Sequence, residues 1–105
     1  MTFRRKPDGN HAEVRDALRR AGCPVFDASG VGMSFPDLVV GIPALRRIVL
    51  VEVKDGSKPA YDRELTKGQA DFHALWGPYG AFVVLSVDEA LELCTGPVGP
   101  DRKPR

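Results

Sequence analysis

The sequence predicts an α/β protein in which a mixed sheet is flanked by helices, in the order helix, three strands, helix, strand, helix. Two observations carry this reading. Three capping-box patterns, each a small polar residue followed three positions later by Glu or Gln, mark three helix starts. Around them lie four short segments rich in Val, Ile and Leu, of strand length rather than helix length. A chain of 105 residues, 43% hydrophobic, fits a single domain over residues 1–105. Its core spans about residues 8–94, with a basic arm at each end.

Asn10 with Glu13 opens the first helix, whose Val14, Ala17, Leu18 and Ala21 form one apolar stripe before Gly22 stops it. Residues 24–27 make a short first strand. Residues 37–41 and 48–54 make the next two. Residues 48–53 are apolar on both parities, as in a central strand covered on both faces. Thr66 with Gln69 opens the second helix, which should turn Phe72, Leu75 and Trp76 inward and end at Gly77-Pro78. Residues 81–85 make the fourth strand. Ser86 with Glu89 opens the last helix, where Ala90, Leu91 and Leu93 are available for packing. Two segments read as mobile: the glycine-rich residues 29–34 and the long polar loop at residues 55–67.

A net charge of +1 says little about nucleic acid, but its placement says more. Arg4, Arg5 and Lys6 lead the chain and Arg102, Lys103 and Arg105 close it, around a mildly acidic body. Basic arms on such a body suit phosphate contact; solvated tails are the alternative. No apolar run approaches the roughly 20 residues of a membrane helix. The basic start has no apolar stretch behind it, so it does not read as a secretory signal. Cys23 and Cys94 lie far apart and outside any CxxC pattern. That spacing predicts reduced thiols in a cytoplasmic protein rather than a disulfide framework or a zinc site.

A carboxylate inside an apolar central strand needs explaining. Glu52 and Lys54 share parity with Ile48 and Leu50 and so project from one face. Burying an unpaired charge there costs several kcal/mol, so a partner is expected. If Gly41 faces Ile48 across a hairpin whose turn is residues 42–47, antiparallel register puts Asp37 opposite Glu52. Two carboxylates so placed repel unless a cation sits between them. Hard oxygen ligands suit magnesium or manganese. Lys54, one pair further on, could position a water or stabilise charge developing on phosphate. The same spacing also fits an Asp–Lys–Glu ion-pair cluster at a strand end with no chemical role.

Phe35-Pro36-Asp37, followed by Val51-Glu52-Val53-Lys54 on the next strand, resembles the PD-(D/E)xK nuclease superfamily. Five blocks in order are similar to its VRR-NUC branch, over roughly residues 8–94. They are Asn10-His11-Ala12-Glu13, Gly32 before Pro36-Asp37, Glu52-Val53-Lys54, Leu65-Thr66 followed by Gln69, and Ser86-Val87-Asp88-Glu89. The resemblance implies a restriction-endonuclease-like αβββαβ core. It implies that Asp37, Glu52 and the Val53 carbonyl bind the metal, joined by Glu13 from the first helix. It assigns Lys54 to catalysis and brings Gln69 to the site from the second helix. Glu13 and Gln69 are also the third residues of their capping boxes, and each is expected to do only one of its two jobs well.

The function expected is metal-dependent endonuclease cleavage of DNA, using Mg2+ or Mn2+ and no small-molecule cofactor. The basic arms together with Lys58, Tyr61, Arg63 and Lys67 would hold the flanking strand. Stand-alone members of the branch resemble phage proteins, which implies branched DNA such as a four-way junction as substrate and a homodimer as the acting unit. A non-catalytic DNA-binding module of the same fold, or a flap- or nick-specific nuclease, are the alternatives. His11 and His73 lack metal-ligand neighbours and read as structural. Trp76 reads as core, leaving Tyr61 as the candidate for touching a base.

Overall fold

The computed structural model describes residues 9–95. Helix α1 covers His11–Arg20, strand β1 Val25–Asp27, β2 Leu38–Ile42 and β3 Arg47–Val53. Helix α2 covers Lys67–Trp76, strand β4 Ala81–Val84 and helix α3 Val87–Thr95, and short 3-10 turns sit at Ala60–Asp62 and Gly77–Tyr79. The four strands form one mixed sheet in the order β1-β2-β3-β4, antiparallel except for the parallel pair β3–β4. Helices flank this sheet, in the element order the sequence predicts. Among the described residues no helix is long and apolar enough to cross a membrane.

The expected hairpin register holds. Gly41 pairs with Ile48 and Leu38 with Val51, because a one-residue slip would move every apolar side chain to the wrong face. The turn is tighter than expected: Ile42 pairs with Arg47, and Arg46 takes a positive φ of 54° to close it.

One face of the sheet carries the core. Leu38, Val40 and Ile42 alternate inward from β2, and Val49, Val51 and Val53 from β3, to meet Val14 and Leu18 of α1 and Ala90 of α3. Helix α1 ends as its glycine predicts. Gly22 adopts φ +98°, and the N–H groups of Gly22 and Cys23 close onto the Arg19 and Leu18 carbonyls at 3.0 Å each.

The opposite face is covered only in part. Glu52 and Lys54 are buried there, but Ile48 at the start of β3 is 67% exposed. Only the end of β3 is therefore sealed on both sides. Among the described residues α2 buries Gln69 alone. Leu75 and Trp76, expected inward, are exposed. The reason is where α2 docks: its contact with β3 falls at Gln69 in the first turn, beside Glu52 and Lys54.

Two other expectations are corrected. Asn10 makes no side-chain cap on α1, so the capping box with Glu13 does not form. Cys23 and Cys94, expected as separate reduced thiols, form a disulfide with their Cα atoms 6.7 Å apart. The end of α1 and the end of α3 pack on the same sheet face, which brings together residues 71 apart in sequence. Sequence distance gave no hint of this.

A cross-link over so long a segment restricts the unfolded chain strongly, by about 2–4 kcal/mol. Reduction, or Cys94→Ser, should therefore lower the urea midpoint and steepen the slope, because the unfolded chain then exposes more surface. Identical midpoints with and without dithiothreitol would show that the bridge contributes nothing.

Candidate active site

Three polar side chains sit inside the protein where α2 meets the end of β3. Glu52 is 1% exposed, Lys54 5% and Gln69 2%. Burying them is tolerable only because they satisfy one another. The Gln69 side-chain amide is the hub. Its Oε1 accepts from Lys54 Nζ at 3.0 Å and from the Thr66 backbone N–H at 2.9 Å. Its Nε2 donates to Glu52 Oε2 at 3.0 Å. Thr66 Oγ1 in turn accepts from the Gln69 N–H at 3.1 Å, completing a capping box. Gln69 thus caps α2 and contacts Lys54 and Glu52 at once: its oxygen has two lone pairs, one for the cap and one for Lys54.

Asp37 is half-buried and lies one step beyond the Leu38–Val51 pair, the register position facing Glu52. Its Oδ2 accepts the Val53 N–H at 2.8 Å, and its backbone carbonyl accepts the Ala28 N–H at 2.7 Å. The carboxylate is thereby fixed against β3, and the backbone against the end of β1. The segment that delivers it is strained. Gly32, Met33 and Ser34 all have positive φ, at 79°, 56° and 65°, a costly run for the two non-glycine residues. Ser34 packs directly on α2 at Gly68, where any Cβ would collide with its side chain. The residues before Asp37 and the helix carrying Gln69 are therefore locked together.

Whether this donor set suits a divalent metal can be judged from its chemistry. Asp37 and Glu52 supply two hard carboxylates at neighbouring register positions. Mg2+ is commonly held by one or two carboxylates plus water and substrate oxygens, so two are enough. Among the described residues no group of three or more His, Cys, Asp or Glu is arranged to hold a metal. Glu13 is exposed and lines a different cleft, of about 790 Å³, with Asp55, Ser57, Ser86, Asp88 and Glu89. It does not complete a three-carboxylate group with Asp37 and Glu52. For Val53, expected to offer its carbonyl, the structure gives the N–H a partner in Asp37.

The loop at residues 55–67 is organised rather than loose. Asp55 Oδ1 accepts from the Ser57 N–H at 2.9 Å and from its hydroxyl at 2.7 Å, and these bonds hold the Asp55 carboxyl below its usual range. Arg63 Nε donates to the Lys58 carbonyl at 2.9 Å. Lys58 and Tyr61 are exposed, and Lys67 reaches Asp71 one turn along α2 at 2.9 Å. Arg4, Arg5 and Lys6 lie outside the described residues, as do Arg102, Lys103 and Arg105.

Two supports of this region carry no recognisable sequence signal. Asn10, read as a helix cap, instead donates from Nδ2 to the Lys54 carbonyl at 3.1 Å and to the Leu85 carbonyl at 3.3 Å. It ties the ends of β3 and β4 together beside Lys54. Asp27 gathers the N–H and hydroxyl of Ser29, His11 Nε2 and Arg15 Nη1, all within 3.1 Å. Burial opposes ionisation of Asp27, but these bonds outweigh it and hold the carboxyl well below the usual carboxylate range. His11 is thus a structural partner, as expected. Both supports depend on contacts between distant segments.

Compared with known proteins, the chain matches no family model, no curated protein and no solved structure.

The hub predicts an unequal pair of variants. Thr66→Ala removes only a cap and should cost about 1 kcal/mol. Gln69→Ala also removes a buried hydrogen bond from Lys54 and another from Glu52, and should cost about 3 kcal/mol or more in urea unfolding. Equal losses would mean that the bonds to Lys54 and Glu52 contribute nothing.

Proposed function

We propose that this chain is a metal-dependent endonuclease of the PD-(D/E)xK type, of the VRR-NUC branch, with a restriction-endonuclease-like core, hydrolysing DNA phosphodiesters. One observation carries the reading: a buried Lys54 and a buried Glu52, joined through one amide, lie next in register to Asp37. Apolar residues at these positions would stabilise a sheet at least as well as buried charges do.

Asp37 and Glu52 would hold Mg2+ or Mn2+. When bound, such an ion lowers the pKa of water and offsets phosphate charge. Lys54 uses one donor on Gln69 and keeps others for a phosphate oxygen or the attacking water. Gln69 sets the direction of both neighbours. Lys58, Tyr61, Arg63 and Lys67, with the basic arms, would hold the flanking strand. The substrate proposed is branched DNA, such as a four-way junction, cut by a two-fold homodimer. A second reading is favoured by one feature: Asp37 is bonded to the Val53 N–H, and Gln69 ties Lys54 and Glu52 to the start of α2, so the same groups also serve to join strand end to helix. On that reading the cluster is structural and the chain only binds DNA.

Incubating the protein with labelled duplex, flap and four-way-junction DNA in Mg2+, Mn2+, Ca2+ or EDTA separates the two. Cleavage should need Mg2+ or Mn2+, and junctions should be nicked symmetrically by a species that light scattering finds dimeric. Lys54→Ala should lower turnover by roughly 10²-fold or more with affinity nearly intact. Changing Arg4, Arg5 and Lys6 together to Ala should instead weaken binding and flatten its salt dependence. Full activity in excess EDTA, or normal cleavage by Lys54→Ala, would overturn the mechanism. Binding without cleavage of any substrate would favour the structural reading.

A further inference from the structure

Helix α2 presents one stripe that changes character along its length. Gln69, Phe72 and Trp76, followed by Tyr79 in the 3-10 turn Gly77–Tyr79, recur at the three- and four-residue spacing of a single helix face. At its first position the stripe enters the protein, where Gln69 is 2% exposed between Glu52 and Lys54. At its last it leaves, with Trp76 47% and Tyr79 75% exposed. The rings are in continuous contact. Phe35 meets Phe72 edge-on at 5.8 Å, Phe72 stacks on Trp76 at 5.9 Å and 23°, and Trp76 meets Tyr79 at 6.2 Å. Phe35 stands two residues before Asp37. The row is thus rooted at the candidate site on both sides, through Phe35 and through Gln69, and runs outward into solvent.

We infer that this row is a stacking track for unpaired nucleobases next to the phosphate held at Asp37, Glu52 and Lys54. This rests on the nuclease reading and deepens it by naming the substrate class: DNA with unstacked bases beside the cut, as at a frayed end or a branch point. Large exposed aromatic groups in a row mark an interaction surface rather than an unfinished core. Two features select bases as the occupant. The row is continuous with the site that would hold the phosphate. Lys67, paired with Asp71, opens α2 two residues before Gln69, so a cation for the backbone lies at the site end and π-faces for the bases lie beyond it. Single-strand binders combine these same two elements, and stacking tolerates any base because every base has a π-face.

Trp76 is the chain's single tryptophan, so its fluorescence reports on the track directly. The protein is titrated in EDTA with a dT 12-mer, with an abasic 12-mer carrying the same phosphates, and with blunt duplex. Binding of each is followed in parallel by anisotropy of a labelled strand. The dT strand should quench Trp76, while the abasic strand and the duplex should bind without quenching. Tyr79→Ala, which removes an exposed ring, should weaken dT binding about tenfold and leave abasic binding unchanged. Trp76→Phe should retain most of the affinity that Trp76→Ala loses. Equal quenching by the abasic strand, or dT binding without quenching, overturns the track. So does a Trp76 emission shift that follows protein concentration and ignores DNA, since a second copy would then cover the face. Quenching in a protein that cleaves nothing would keep the track and remove the nuclease, and cleavage without quenching would do the reverse.

Discussion

The Gln69 amide, set between a lysine and a glutamate that the fold has taken out of water, is the interaction on which this end of the molecule depends. Without it the buried lysine and glutamate at the end of β3 would each lose a hydrogen bond, a penalty of several kcal/mol for a small domain. With it the same atoms fix the N-terminus of α2, because the oxygen that receives Lys54 also receives the Thr66 N–H. Helix start, strand end and charge pair are thereby one unit. Changing any of them disturbs the other two, which explains why α2 can stay in place with so little apolar surface buried.

The two sheet faces divide the work. On one, β-branched residues of β2 and β3 close against α1 and α3, and the bridge between Cys23 and Cys94 holds the ends of those helices together. That face supplies the hydrophobic stabilisation. On the other, Glu52, Lys54 and Gln69 are buried, while Ile48, Leu75 and Trp76 are exposed. Hydrophobic stabilisation is thus concentrated on the face away from Glu52 and Lys54.

Much of this was legible in the sequence wherever short-range periodicity decides structure. The β2–β3 register followed from alternation alone, since only one pairing puts Leu38, Val40, Val49 and Val51 on one face; placing Asp37 opposite Glu52 needed nothing more. The helix starts at Thr66 and Ser86 were equally local. What failed depended on distant segments. Asn10 has the right chemistry to cap α1, but its Nδ2 is held by the Lys54 and Leu85 carbonyls, 44 and 75 residues away, and its Oδ1 makes no bond to the helix N-terminus. The apolar stripe of α2 looked inward because pattern reports amphipathicity and not the point at which a helix docks. The cysteines looked unrelated because spacing along the chain carries no information about two helix ends packed on one sheet face.

The covalent link between residues 23 and 94 also decides how the molecule carries load. Tension applied before Cys23 and after Cys94 enters the molecule outside that closed loop. The force then passes through α1 and the sulfur bridge to the end of α3, the short way round. Residues 24–93, including every strand and the whole of α2, lie off that path. The carboxylates and the lysine therefore sit in a part of the protein that is mechanically quiet while its ends are pulled, and their geometry is set by their own hydrogen bonds rather than by whatever holds the chain at its extremities.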